Sequence, residues 1–178
     1  MDGPDDAIVT AAASGDRAAF ESLVRQMQGP VWRYVVHLVG DHGLAEDICQ
    51  EVFLRVHRRL HTLRDPTRFV PWLLTTARNA AFDAARFRKR RPLTLVDDQE
   101  LWASREADDP HLSLEMWDAL ARLDEPLRES LVLVGMIGLT YQEAAEAIGV
   151  PEGTVKSRTF RARKVLLEIL DVGDENES

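Results

Sequence analysis

Residues 140–164 carry the densest chemistry in the sequence. Thr140 and Glu143 have the spacing of a capping box, which opens a helix by satisfying its first free N–H groups. Ala144, Ala145 and Ile148 give that helix a small apolar face, Gly149 supplies a turn, and Pro151 suits the start of a second helix. On the second helix Val155, Ala162, Val165, Leu166 and Ile169 share one side at helical spacing. Thr154, Ser157, Arg161 and Lys164 face the other way, flanked by Lys156 and Phe160. A cationic, hydroxyl-bearing helix face fits the major groove of duplex DNA, where Arg and Lys meet phosphates or guanine edges. The pattern therefore predicts a DNA-binding helix-turn-helix rather than a hairpin with a solvated charged face. Arg158 lies toward the buried edge, which suits a phosphate contact or an internal ion pair more than base reading.

A second group spans Arg68 to Arg91. It interleaves Phe69, Trp72, Phe82 and Phe87 with arginines and Asn79. Rings and cations together suit single-stranded DNA, because bases stack on the rings while cations track phosphates. Phe69, Trp72, Leu73 and Phe82 also fit an apolar stripe and are read first as core. Function then rests on Arg78, Asn79, Asp83, Arg86 and the terminal basic run. A third group lies on an amphipathic helix at 44–61. Ala45, Ile48, Cys49, Val52, Phe53, Val56 and Leu60 form its apolar stripe, and Asp47, Gln50, Glu51 and Leu54 line the opposite face. Such an acidic-polar strip is either solvated or a dock for a basic partner helix.

The elements positioning these groups are all helical. Helical period recurs at 16–39, with a break expected at Gly29-Pro30, at 44–61, and from Pro71 to about Arg88. Four more helices are expected at 113–123, 125–137, 140–149 and 151–170, followed by a frayed tail. Two helical domains, 12–91 and 113–170, result, joined by a flexible linker over 92–112. The 178 residues carry a net charge of -8, which alone argues against a nucleic-acid binder, but the charge is segregated. Residues 78–91 hold six basic residues and one acid, and 156–164 hold five basic residues and no acid. Residues 97–109, inside the linker, hold six acids and one base.

Other chemistries find little support. His57 and His61 stand four apart on a helix, and Asp47 with Glu51 is a possible carboxylate pair, but no third ligand or glutamate base lies at motif spacing. No cofactor, metal or catalytic activity is expected. The single cysteine, Cys49, excludes an intrachain disulfide and is read as core. No signal peptide and no run near the roughly 20 apolar residues of a membrane span is visible, so a cytoplasmic location without membrane insertion is expected.

Three blocks in this order carry a family resemblance: Ala45-Glu-Asp-Ile-Cys-Gln-Glu-Val-Phe; Phe69-Val-Pro-Trp-Leu with Ala77-Arg-Asn-Ala-Ala-Phe-Asp and the basic run to Arg91; and Thr140 to Arg163. The chain resembles the extracytoplasmic-function (group IV) sigma factors of the sigma-70 family. The resemblance implies a non-enzymatic subunit that gives promoter specificity to core RNA polymerase, with a region 2 domain and a region 4 domain. It implies that Asp47, Gln50, Glu51, Phe53 and Leu54 contact the largest polymerase subunit. Trp72, Thr75, Arg78, Asn79, Asp83, Arg86, Arg88, Lys89, Arg90 and Arg91 would capture and open the -10 element, with a base flipped from the stack. Thr154, Lys156, Ser157, Arg158, Phe160, Arg161 and Lys164 would read the -35 duplex. Leu114 to Val134 would dock on the second-largest subunit, the acidic linker would thread toward the RNA exit path, and an anti-sigma factor would mask the same surfaces. The sequence departs from the pattern at Phe160, where an aliphatic residue is usual, and at Pro71. The competing reading is a stand-alone helix-turn-helix regulator, which leaves the first two blocks unused.

Overall fold

Side-chain caps set several helix starts in the computed structural model, which describes residues 3–90 and 114–175. The Asp5 carboxylate accepts from Ala7 N at 2.7 Å and opens α1 (Asp6–Ala13). Asp16 accepts from Ala19 N at 3.0 Å and opens α2 (Arg17–Val39). Gly40, at φ 65°, ends α2 in the left-handed conformation that favours glycine. Asp41 at once caps α3 (His42–Arg59) through Leu44 N at 2.9 Å. A pair of 3₁₀ turns, Leu60–Thr62 and Pro66–Arg68, leads into α4 (Phe69–Arg90). The C-terminal half comprises α5 (Leu114–Ala121), α6 (Glu125–Leu131), a π-helical turn over Val132–Met136, α7 (Tyr141–Ile148) and α8 (Glu152–Glu175). No strand occurs among the described residues.

The all-helical expectation holds, with three differences. First, α1 was not foreseen; it begins ahead of the expected domain start at residue 12 and buries Val9 and Ala12. Second, α2 runs unbroken through Pro30. Proline removes one intrahelical hydrogen bond, but Met27, Val31 and Tyr34 are buried on either side of it, and their packing holds the axis together. Third, the last helix continues past Leu170 to Glu175, where a frayed tail was expected. The linker at 92–112, with Arg91, lies outside the described residues.

The two halves are packed on each other. Val31, Val52, Leu73 and Ala77 from the first half share one buried cluster with Trp117, Leu133, Ala144 and Val155 from the second. The α4 helix lies along α7, and α2 touches α6. A smaller cluster of Leu120, Leu123, Leu131 and Ala162 holds α5, α6 and α8 together.

Candidate nucleic-acid interface

The helix-turn-helix forms as its spacing predicts. Thr140 Oγ1 accepts from Glu143 N at 3.2 Å, and Glu143 Oε2 accepts from Thr140 N at 2.8 Å, completing the capping box. Gly149 makes the turn at φ 71°. Val155 and Ala162 are buried on the inner side of α8, while Ser157, Phe160, Arg161, Arg163 and Lys164 are exposed. Phe160 is 72% exposed. Thr154 and Arg158 are half-buried at the edge of the face. Lys156 is exposed and bonded to Glu152 at 2.6 Å; its hydrogen bond to that carboxylate, and then the carboxylate's charge, raise its pKa. Glu152 is an acid at the very start of α8, to which the sequence pattern gave no weight. Lys164 reaches Glu168 at 3.9 Å.

The set on α4 divides in two. Asn79, Asp83, Arg86 and Arg88 are exposed. Asp83 lies 3.7 Å from Arg55 and 3.8 Å from Arg86, and Arg88 lies 3.2 Å from Asp41 at the start of α3. Trp72, Thr75 and Arg78 instead face the C-terminal half. Thr75 Oγ1 lies 2.8 Å from the Pro71 carbonyl of its own helix and 3.1 Å from the Ala147 carbonyl, which share its one proton. Arg78 Nε donates to Glu129 Oε1 at 2.7 Å, and its guanidinium stands 4.5 Å from the Phe82 ring centre. Burial alone would lower the Arg78 pKa, but the bond to Glu129 and the charge of Glu129 raise it overall. Tyr34 donates its hydroxyl to the same Glu129 oxygen at 2.8 Å; burial first, and then the charge of Glu129, push its pKa well up. Lys89 and Arg90 lie on the last turn of α4.

The strip on α3 is where the pattern put it. Asp47, Gln50 and Leu54 are exposed, and Glu51 and Phe53 are half-buried. Arg55 is tied to Glu51 at 2.7 Å, which sharpens the negative end of the strip at Asp47. Cys49 is half-buried among apolar neighbours, and burial pushes its thiol up to about 12, unsuited to redox chemistry. His57 packs edge-on against Phe20 at 4.9 Å. No cluster of three metal-ligating side chains exists among the described residues, and no helix there is long and apolar enough to cross a membrane.

Arg68, which the sequence pattern did not single out, lies beside these residues. It begins the groove formed with Arg64, Trp72 and Thr75, and it is bonded to Glu146 at 2.7 Å. Its spacing of four from Trp72 was the available signal.

Comparison with known proteins now places the fold. Residues 23–91 match Sigma-70 region 2, and residues 113–166 match Sigma-70, region 4. The chain is 35% identical over 175 residues to the Probable RNA polymerase sigma-C factor of Mycobacterium bovis, covering 92% of this chain and 91% of that one. It is 32% identical over 176 residues to the ECF RNA polymerase sigma-E factor of Haemophilus influenzae, covering 91% and 93%. Among solved structures, the sigma factor RpoE in complex with the anti-sigma factor NepR from Bartonella quintana is similar at a TM-score of 0.74 and 27% identity, covering 86% and 97%. CnrH in complex with the cytosolic domain of CnrY is similar at 0.71 and 26%, covering 94% and 97%. The chain therefore belongs to the sigma-70 family, among its extracytoplasmic-function members, and is an RNA polymerase sigma factor that directs promoter-specific initiation.

Proposed function

We propose that this sigma factor divides its work among three faces. The α3 strip of Asp47, Gln50, Glu51, Phe53 and Leu54 binds the largest subunit of core polymerase. The α4 set of Trp72, Thr75, Arg78, Asn79, Asp83, Arg86, Arg88, Lys89, Arg90 and Arg91 takes the opened -10 strand. The α8 set of Thr154, Lys156, Ser157, Arg158, Phe160, Arg161 and Lys164 reads the -35 duplex. The observation carrying this reading is the exposed cationic face of α8, with Arg161 and Lys164 open, on the same chain as the exposed acidic strip of α3. A stand-alone operator-binding regulator has no use for that strip, and the match of residues 23–91 to Sigma-70 region 2 supports a polymerase partner for it.

Within this reading the polymerase makes and breaks every bond, and the chain contributes binding energy and strand separation in the cytoplasm. The segment Leu114 to Val134 docks on the second-largest subunit. An anti-sigma factor is the expected restraint, since one similar structure is that of a sigma factor in complex with an anti-sigma factor. Affinity for DNA rests on phosphate contacts, and a net charge of -8 weakens them in the free chain. Core polymerase therefore has to align the cationic faces.

The test is transcription by core polymerase with and without the chain, followed by mapping of start sites. Start sites that depend on the chain support the reading; failure of the chain to bind core polymerase overturns it. Two substitutions refine it. Arg161→Ala is expected to cut -35-dependent transcription by about 1–3 kcal/mol of binding, the range for one base-edge contact; unchanged output removes Arg161 from the reading set. Asp47→Arg is expected to weaken core binding while leaving helical circular dichroism unchanged, because Asp47 is exposed. Loss of helical signal would assign Asp47 a structural role.

A further inference from the structure

Glu152 is the one acid between residues 152 and 164, against Lys156, Arg158, Arg161, Arg163 and Lys164. On a face that meets DNA phosphates such an acid weakens the contacts around it. Two roles account for an acid here. A carboxylate in the first turn favours the positive end of a helix, or it takes a donor that DNA itself offers. The Glu152 side chain is 46% exposed and bonded to Lys156, one turn on, at 2.6 Å. Lys156 in turn stands 5.7 Å from the ring centre of Tyr141 at the start of α7, within cation-π range. A donor and an acceptor are thus held side by side at the end of a recognition helix that meets the bases.

Gly153 supplies an independent observation. It is exposed, and a Cβ built on it meets nothing within 4 Å. Packing within the chain does not require glycine there, and glycine is among the poorest helix formers. A missing side chain next to an exposed donor and acceptor lets an outside surface come close to the backbone. The charged pairs at the seam between the two halves, where α6 and α7 meet α2 and α4, face each other instead.

The major-groove edge of a G·C pair presents acceptors at guanine O6 and N7 and a donor at cytosine N4. O6 and N4 are joined by a base-pair hydrogen bond of roughly 2.9 Å. The Lys156 ammonium and the Glu152 carboxylate, 2.6 Å apart, match that order and nearly that spacing. An A·T pair does not reproduce the match, because an ammonium beside adenine N7 meets the N6 donor. In the reverse orientation it offers the ammonium one acceptor, thymine O4, beside a methyl group, in place of guanine's two.

We infer that Glu152 and Lys156 together read one G·C base pair of the -35 duplex, Lys156 donating to guanine and Glu152 accepting from cytosine N4. The inference rests on the proposed role of α8 and deepens it. It adds Glu152 to the reading set, and Gly153 as the residue that lets the pair reach the groove floor.

The test uses core polymerase loaded with the full chain and a pool of duplex templates that carry a start site mapped for this chain, with the -35 segment randomised. Transcribed templates are sequenced. The parent is expected to require a G·C pair at one position. Glu152→Ala and Lys156→Ala are each expected to lower that preference about tenfold, at the same position and at no other. The double variant loses no more than either single one, because the two residues act as a unit. Glu152→Asp keeps a charge in the first turn but draws the carboxylate back from Lys156, and it is expected to behave as Glu152→Ala. Parent-like selection by Glu152→Asp, or an equal loss at every position in Glu152→Ala, assigns Glu152 to the helix start and overturns the inference. A loss with Glu152→Ala that Lys156→Ala does not share overturns the pair. Gly153→Ala is expected to raise Tm yet cut transcription from all templates; unchanged transcription overturns the close approach. All three positions are exposed, and circular dichroism accompanies each variant. If the parent selects no -35 sequence, the proposed role of α8 falls. If it selects one and Glu152→Ala selects the same, only this inference falls.

Discussion

Arg78→Ala is expected to lower the unfolding free energy by about 3–5 kcal/mol, the cost of removing one partner of a buried ion pair, read from urea denaturation followed by circular dichroism. The size follows from where the charge is left. The Glu129 side chain is 3% exposed, and without Arg78 its carboxylate keeps the Tyr34 hydroxyl as its hydrogen-bond partner across the seam. A carboxylate in that position has no water to fall back on, and a single neutral donor does not replace a guanidinium. The paired variant Arg78→Met with Glu129→Gln is expected to recover most of the loss, since replacing both members of a buried pair by neutral groups is often close to neutral. The glutamine amide oxygen can still accept from Tyr34. If Arg78→Ala unfolds within about 1 kcal/mol of the parent, a value ordinary for exposed pairs, then Glu129 is solvated and the seam is looser than its distances imply.

This result bears on how promoter defects are read. Arg78 is the residue of the -10 set whose loss unfolds the seam, so lost transcription in Arg78→Ala mixes a missing DNA contact with a damaged fold. Asn79 and Arg86 are exposed on the same helix. Substitutions there report on DNA without that confusion.

Much of the fold was legible because it is written in local periods. The α3 stripe, the capping box at Thr140 and the Gly149 turn each occupy a few consecutive residues, and each forms as its spacing implies. What could not be read is what joins distant segments. Tyr34 and Glu129 are 95 residues apart, and Arg78 and Glu129 are 51 apart. In the sequence Glu129 is one more acid on a charged helix, and nothing local marks it as buried. The α1 helix escaped notice because eight residues bury only Val9 and Ala12, too few turns for a period to emerge. The expected break at Gly29-Pro30 failed for the opposite reason: local propensity was plain, and tertiary packing overrode it. The candidate sites follow the same division. Asp47 and Arg161, placed by the period of their own helices, are exposed as that period implies. Arg68, placed by a groove and a partner from the other half, was not singled out.

The same seam holds a group whose charge matters, and it supplies a pH dependence. His37, on α2, is 1% exposed and stacked on Trp117 of α5 with ring centres 4.2 Å apart. Neither of its ring nitrogens has a hydrogen-bond partner among the described residues. Burial, aided by the charges of Arg128 on α6, His42 on α3 and Arg33 on α2, lowers its pKa from 6.5 to about 3. Because the folded pKa is the depressed one, the native state binds fewer protons than the unfolded state below pH 6.5. The stability from neutral His37 is therefore fully present above about pH 6.5 and is lost progressively as pH falls toward 3. The expected slope is about 1.4 kcal/mol per pH unit in that window, so urea midpoints should fall clearly between about pH 7 and about pH 5. His37→Phe keeps a flat ring against Trp117 and removes the titration. It is expected to flatten the profile between about pH 5 and about pH 6.5 at no cost in stability at about pH 7.5, because no hydrogen bond of His37 is lost. A parent protein with a flat profile, or a variant with an unchanged slope, would show that His37 reaches water without the halves parting. That outcome would place the acid sensitivity elsewhere in the chain.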